Sequence, residues 1–213
     1  MPRYVHNRDC PESNLYPCLF TYDGIALPTA EHHFMRAKAK LFNDARYVRK
    51  IEFAVGGSCA RKLGRSVRNV DEAVWDARCD AILEDILMEK FTSSPSLIWH
   101  ISNTEGPFYE ASTRSTTWGI GMLLSAAERG EPHIGQNRVG KALDRVQRRI
   151  LAMSNAVKTM AGTEGWEKVQ DLVDDAYQAA VAEGDPDADT RPLPPLVAAE
   201  VVALVCENGA VTN

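Results

Sequence analysis

Apolar residues recur at helical spacing through most of the first 150 positions, and turn-forming residues separate the runs. In "LPTAEHHFMRAKAKLF" (27–42), Phe34, Ala37 and Leu41 follow that spacing. Thr29 can cap the first turn with its hydroxyl, and Glu31 stands where the helix dipole favours a carboxylate. Just upstream, "CLFTYDGIAL" sets Asp23-Gly24 between two apolar-rich stretches, the pattern of a two-residue hairpin turn. A second helix is expected from Asp44 to Gly56-Gly57, and a short third one capped by Ser58 and running through Leu63. In "NVDEAVWDARCDAILEDILMEKF" the repeat at positions 74, 75, 78 or 79, 82, 83, 86 and 87 predicts one long amphipathic helix. The segment 107–111 reads as a strand, and a Ser/Thr/Gly-rich stretch then leads to a helix from about Arg138 to Leu151. Irregular stretches of that length inside a compact domain are often functional. Further helices are expected at 164–183 and 196–206, joined by a Pro/Asp-rich linker at 185–195.

These elements predict an α+β fold: a mainly α-helical single domain at 1–153 with a small β-hairpin or sheet, followed by a helical C-terminal extension at 154–213. The 213 residues, 45% apolar and 25% charged, are enough for a real core without staples. A net charge of −5 argues against a protein that coats nucleic acid by charge alone, although Arg61, Lys62, Arg65 and Arg68 form one basic cluster and "DRVQRRI" (144–150) another. Five cysteines without a CxxC give no zinc framework and no disulfide code. The first residues lack an apolar signal core, and the longest apolar stretch is interrupted by Glu200. Neither export nor membrane insertion is expected; the reading is a cytoplasmic or nuclear protein.

Candidate chemistry begins at Glu31 and Lys38. Seven positions apart on a helix, they point within ~20° of one another and look at the same space. "YEASTRSTTWGIG" (109–121) adds Glu110, the aromatic wall of Trp118 and the glycines 119 and 121, where backbone N–H groups can approach a ligand. "GQNRVG" (135–140) opens a helix, whose N-terminus suits phosphate. Trp75 and Lys90 lie on the long helix. His32 and His33 are adjacent, so on a helix they diverge by ~100° and cannot share an ion in the manner of HExxH. No G-x-S-x-G is present. The residues describe a carboxylate-and-lysine pocket walled by aromatics, with no metal and no cofactor implied.

Taken in order, "SNLYP" (13–17), "DGIALPTAEHHFMRAKA" (23–39), "ARKLGRSV" (60–67), Trp75, "KF" (90–91), "EAS....WGIG" (110–121) and "GQNRVGKAL" (135–143) resemble the NADAR family, the NAD- and ADP-ribose-associated proteins that include bacterial N-glycosidases acting on riboflavin intermediates. The resemblance covers about residues 12–151. It implies hydrolysis of the bond between ribose C1′ and an exocyclic amine of a guanine-like base. The substrate is then ADP-ribosylated guanine, as a nucleoside or in DNA or RNA, or a phosphoribosylamino-pyrimidine intermediate of riboflavin synthesis. Position by position it implies Glu31, Lys38 and Glu110 as catalytic residues. Asn14, Arg65, Trp75, Lys90, Ser112, Trp118, Gly119, Gly121, Asn137 and Gly140 become substrate-binding ones, with Arg65, Lys90 and the helix start at 135–140 near phosphate. This chain departs from the family at Ser115, where many members have Asp, and at Asp144 and Gln147, where Met and Arg are frequent. Two other readings use the same residues: a non-catalytic ADP-ribose or nucleotide-binding module, and a helical interaction protein whose C-terminal extension is the functional part.

Overall fold

A computed structural model describes residues 2–153, together with 155 and 171. The linker at 185–195 and the helices expected at 164–183 and 196–206 lie outside the described residues, Asp171 apart. The elements are β1 (Arg3–Val5), β2 (Phe20–Tyr22), β3 (Ile25–Leu27), α1 (Ala30–Leu41), α2 (Ala45–Glu52), α3 (Gly57–Gly64), α4 (Glu72–Thr92), α5 (Pro95–Asn103), β4 (Phe108–Glu110) and α6 (Leu124–Glu128). A further helix, α7, covers 138–153. This is the expected α+β class. No helix among the described residues is long and apolar enough to cross a membrane.

The described residues fall into two units, 2–90 with 103–146, and 91–102 with 147–153. In the second, α5 is a helix absent from the sequence reading, and it starts at a cap: Leu97 N donates to Ser94 Oγ at 3.3 Å. Gln147 Nε2 donates to the Ile101 carbonyl at 2.7 Å, so one of the residues that departs from the family pattern ties helix to helix.

In the first unit, β2 and β3 form the hairpin, with Asp23 at φ 52° and Gly24 at φ 75°, the two positive φ angles a tight turn needs. The hairpin delivers the chain to Thr29, which caps α1 and accepts from His32 N. The His32 ring braces the same end. Its Nε2 faces the Ala54 carbonyl at 3.1 Å and so carries the proton, while Nδ1 accepts from the Thr29 hydroxyl at 2.8 Å. His33 instead turns Nε2 to the Phe20 carbonyl at 3.1 Å and stacks on Phe20, and burial pushes its pKa down to about 4.

Helices α1, α2 and α3 enclose a core of Ala39, Ile51, Ala60 and Val67. A fully buried side chain such as Ile51 contributes roughly 1.5–3 kcal/mol. Asp44 caps α2 through Tyr47 N and binds Arg68 with both oxygens, an arrangement that holds its carboxyl down at about 2. Two boundaries differ from expectation. Helix α2 ends at Glu52, because Phe53 closes it, and α3 is entered from Gly56 without a side-chain cap, leaving Ser58 inside its first turn.

The strand expected near 107–111 is β4, which pairs in parallel with β1 in the register Arg3–Phe108, Tyr4–Tyr109 and Val5–Glu110. Strand β1 has no sequence signal, because three residues are too few for a period and its partner lies far along the chain. The free edge of β4 is held by α7. Asn137, at φ 54°, accepts from Glu110 N at 3.0 Å and donates to the Phe108 carbonyl at 2.8 Å, mimicking a neighbouring strand. Phe108 N donates to Asp144 Oδ1 at 3.1 Å, the use this chain makes of its second departure. A Cβ on Gly140 would lie 2.1 Å from the Phe108 carbonyl oxygen, so only glycine permits this approach of helix to strand. Asn137 and Gly140, expected to bind substrate, are therefore structural.

Gly140→Ala should force α7 off β4 and lower stability by about 1–3 kcal/mol, read as a reduced urea midpoint. An unchanged midpoint would mean the contact is looser than described.

Candidate active site

Four residues of α1, at positions 31, 34, 35 and 38, share one face and line a cavity of about 330 Å³. Arg61 and Lys62 of α3 and its C-cap Arg65 line the adjoining side, Trp75 comes from α4, and Glu110 ends β4. The cavity is completed by Asn14 and Leu15 and by Ser112, Arg114, Ser115 and Trp118 after β4. Glu31, Lys38 and Glu110, the three residues singled out as catalytic, thus border one hollow. Of those expected to bind substrate, Asn14, Arg65, Trp75, Ser112 and Trp118 border it too.

The carboxylate of Glu31, only 3% exposed, is not paired with Lys38. Arg61 takes both oxygens, Nε to Oε1 at 2.9 Å and Nη2 to Oε2 at 2.7 Å. The two-pronged geometry fixes the carboxylate in orientation and leaves it the anion of the site. Arg61 was legible only as one member of a basic cluster, because its partner lies 30 residues away on another helix. Lys38, half-buried, places Nζ 5.3 Å from the centre of the Trp75 ring and has no ion-pair partner among the described residues.

Glu110 behaves differently. Burial raises its carboxyl pKa from 4.5 to about 7, against the opposing pull of Arg61 and with help from the negative charge of Glu31. Two carboxyl groups thus face one cavity with unlike tasks: Glu31 is clamped as an anion, and Glu110 can carry a proton near neutral pH.

Aromatic rings form the apolar wall. Phe34 lies 5.2 Å from Trp75 and, edge-on, 5.2 Å from Trp118, so the three rings lock one another. Trp118 is positioned from behind. Its N–H donates to Ser115 Oγ at 2.9 Å, its carbonyl accepts from Val139 N at 3.0 Å, and Arg138 lies over its ring at 5.2 Å while pairing with Asp76 and Asp80. Ser115, where many family members have Asp, supplies the oxygen that closes this turn.

Three further expectations are corrected by this geometry. Three of the N–H groups that open α7 are already used: Asn137 N donates to the Gly119 carbonyl, Arg138 N to Thr117 and Val139 N to Trp118, so these three are not offered to phosphate. Gly119 and Gly121 do not line the cavity. A Cβ on Gly119 would lie 2.6 Å from the Glu110 carbonyl oxygen, and Gly121 has φ +76° against Ile134; both are required by packing. Lys90 is fully buried, and its ammonium donates to the carbonyls of Pro11 at 2.5 Å and Ser13 at 2.7 Å. It fixes the loop that carries Asn14 instead of meeting a ligand. Among the described residues no three His, Cys, Asp or Glu side chains are grouped so as to hold a metal ion.

Because its value is raised in the folded state, Glu110 takes up a proton on folding between pH 4.5 and about 7, and its contribution to stability declines as pH rises through that window. Carboxyl NMR of the Glu110 side chain should show a midpoint near 7, moving higher in Arg61→Gln, where the nearby positive charge is gone. A midpoint in the ordinary glutamate range would contradict the assignment.

Comparison with known proteins places this arrangement. The NADAR domain model matches residues 4–151. N-glycosidase R617 of Acanthamoeba polyphaga mimivirus is 32% identical over 124 residues, which span 56% of this chain and 72% of that protein. The NMR structure of the E. coli protein YbiA superposes with a TM-score of 0.58 at 20% identity, covering 73% of this chain and 89% of that one, a likeness of fold. With its family model matched over more than half its length and its fold shared with a solved structure, the chain belongs to the NADAR domain family.

Proposed function

We propose that this chain is an N-glycosidase that cleaves the bond between ribose C1′ and the exocyclic amine of a guanine-like base, with ADP-ribosylated guanine as its substrate. The general activity is supported by family membership and by the 32% identity to a viral N-glycosidase. The observation that carries the mechanism is the division of labour between the two carboxyl groups beside a lysine that has no ion-pair partner among the described residues, all in one cavity.

Cleavage leaves positive charge on the ribose and requires the departing amine to gain a proton. Glu110, protonated up to about pH 7, is the donor to that amine. Glu31, oriented by Arg61, is the anion that faces the charge on the sugar. Lys38 in its amine form attacks C1′: the Nζ–C1′ bond forms as the C1′–N bond breaks, the leaving amine takes the Glu110 proton, and Nζ passes one of its own protons to the Glu110 carboxylate so formed. Ring opening then yields an imine, and addition of water releases the sugar and restores the lysine. Trp75 and Trp118 offer flat faces for the base or for adenine. The cations at the mouth, Lys62, Arg65 and Arg114, suit the two phosphates of ADP-ribose better than the single phosphate of a riboflavin intermediate, which favours the first substrate.

Incubation with ADP-ribosylated guanosine, followed by chromatography, should yield free ADP-ribose and guanosine, and the ribosylamino-pyrimidine phosphate should be cleaved more slowly; the reverse order would transfer the assignment to the riboflavin intermediates, and no cleavage of either would leave a binding module. Borohydride added during turnover should trap a ribosyl adduct on Lys38, and an active preparation that gives none would remove the imine. Glu110→Gln should lose about 10²–10⁴ in kcat together with the fall in rate above pH 7.

A further inference from the structure

Gly64 closes α3 with helical backbone and without a positive φ, so its conformation does not call for glycine, and alanine there would favour the helix. What excludes a side chain is Met35. A Cβ on Gly64 would lie 2.9 Å from Met35 Cβ, 2.6 Å from its Cγ and nearer still to its Sδ. Met35 thus lies back on the bare backbone of α3, and it also packs against the core of Ala39, Ile51, Ala60 and Val67. Both Gly64 and Met35 line the cavity. A thioether chain turns easily about its bonds, and one pushed off Gly64 would have close-packed core on one side and open space on the other. It would swing into the cavity. The missing side chain at 64 therefore sets how wide the cavity is at this point.

Which part of a ligand passes this point follows from the neighbours. At ~100° per residue, Glu31 and Lys38 fall between Phe34 and Met35 around α1, so the reacting groups have a flank on either side. Phe34 turns to the rings of Trp75 and Trp118, and Met35 turns to α3. The aromatic flank suits a base. On the other flank Lys62 and Arg65, which bracket Gly64 in the chain, line the cavity as cations. Resting on the proposed cleavage of a ribosyl–nitrogen bond, this arrangement sets C1′ at the centre and the 5′-phosphate on the flank of Gly64. A single phosphate ends there, whereas a diphosphate carrying a second nucleoside has to continue past Met35. We infer that Gly64 and Met35 together determine specificity at the 5′ end: glycine keeps the thioether back, so that ribosyl groups extended through a diphosphate are admitted as well as 5′-monophosphates.

The test uses two ribosyl N-glycosides of one base, one ending in a 5′-phosphate and the other in a 5′-diphosphoadenosine, with wild type, Gly64→Ala, Met35→Ala and the double variant. The quantity read is the diphosphate-to-monophosphate ratio of kcat/KM. It should fall at least about tenfold in Gly64→Ala and hold in Met35→Ala. The double variant should return it towards the wild-type value, because the new methyl group then meets no sulfur. An unchanged ratio in Gly64→Ala overturns the inference, as does a double variant no better than Gly64→Ala, or a loss that follows the size of the base instead of the 5′ group. If Gly64→Ala does not fold, Met35→Phe narrows the same flank from α1 and is held to the same outcome. Calorimetric binding of ADP-ribose and ribose 5-phosphate repeats the comparison without cleavage. If the wild type cleaves neither glycoside, the glycosidase reading fails. The 5′-end inference then stands only if Gly64→Ala loses affinity for ADP-ribose at least about tenfold more than for ribose 5-phosphate; equal loss, or no binding by the wild type, overturns it.

Discussion

The Arg61–Glu31 ion pair is the interaction on which the site depends. It joins α3 to the first turn of α1 across 30 positions of sequence and fixes a nearly fully buried carboxylate in orientation. The pair does little for net stability, since its carboxylate loses its water, while Arg61, 36% exposed, keeps part of its own; loss of Arg61 would leave the buried Glu31 carboxylate without its partner. Its value lies in what it permits. With Glu31 committed to Arg61, Lys38 is not neutralised by the carboxylate on its own helix face, and the negative charge kept in place helps to hold the Glu110 proton.

The remaining positions are set by backbone pieces that touch no ligand. Glycine at 140 lets α7 approach β4, and Asn137 stitches the two together; Glu110, the last residue of that strand, inherits its place from them. Gly119 packs on the Glu110 carbonyl while its own carbonyl receives Asn137 N, so the segment bearing Trp118 is carried on the same frame. Lys90 does the equivalent for the loop with Asn14. The motif positions of this chain are therefore of two kinds, those that face the cavity and those that hold the wall behind it. A motif match alone does not separate them, because a backbone so close that a Cβ would lie 2.1 Å from a carbonyl oxygen demands glycine as strictly as a bound phosphate would.

Several elements were legible because their cause is local. The Asp23-Gly24 turn, the Thr29 cap, the long amphipathic α4 and the shared face of Glu31 and Lys38 all follow from periods and from residues a few positions apart. Strand β1, helix α5 and the short α6 were missed, the first because its partner is distant and the last because five residues show no reliable period.

By itself, then, the sequence determined the helical framework, the family and the face on which an acid and an amine meet, since these depend on neighbours along the chain. Tertiary structure decided what each group does there. Which carboxyl is clamped and which keeps a proton, which lysine is open to the cavity and which is sealed in the core, and whether the opening of α7 has donors to spare are all set by partners that the linear order keeps far apart. The physical reason is that charge, burial and hydrogen-bond saturation belong to a position in space, and residues such as Arg61, Asn137 and Pro11 reach their partners only after the helices have packed.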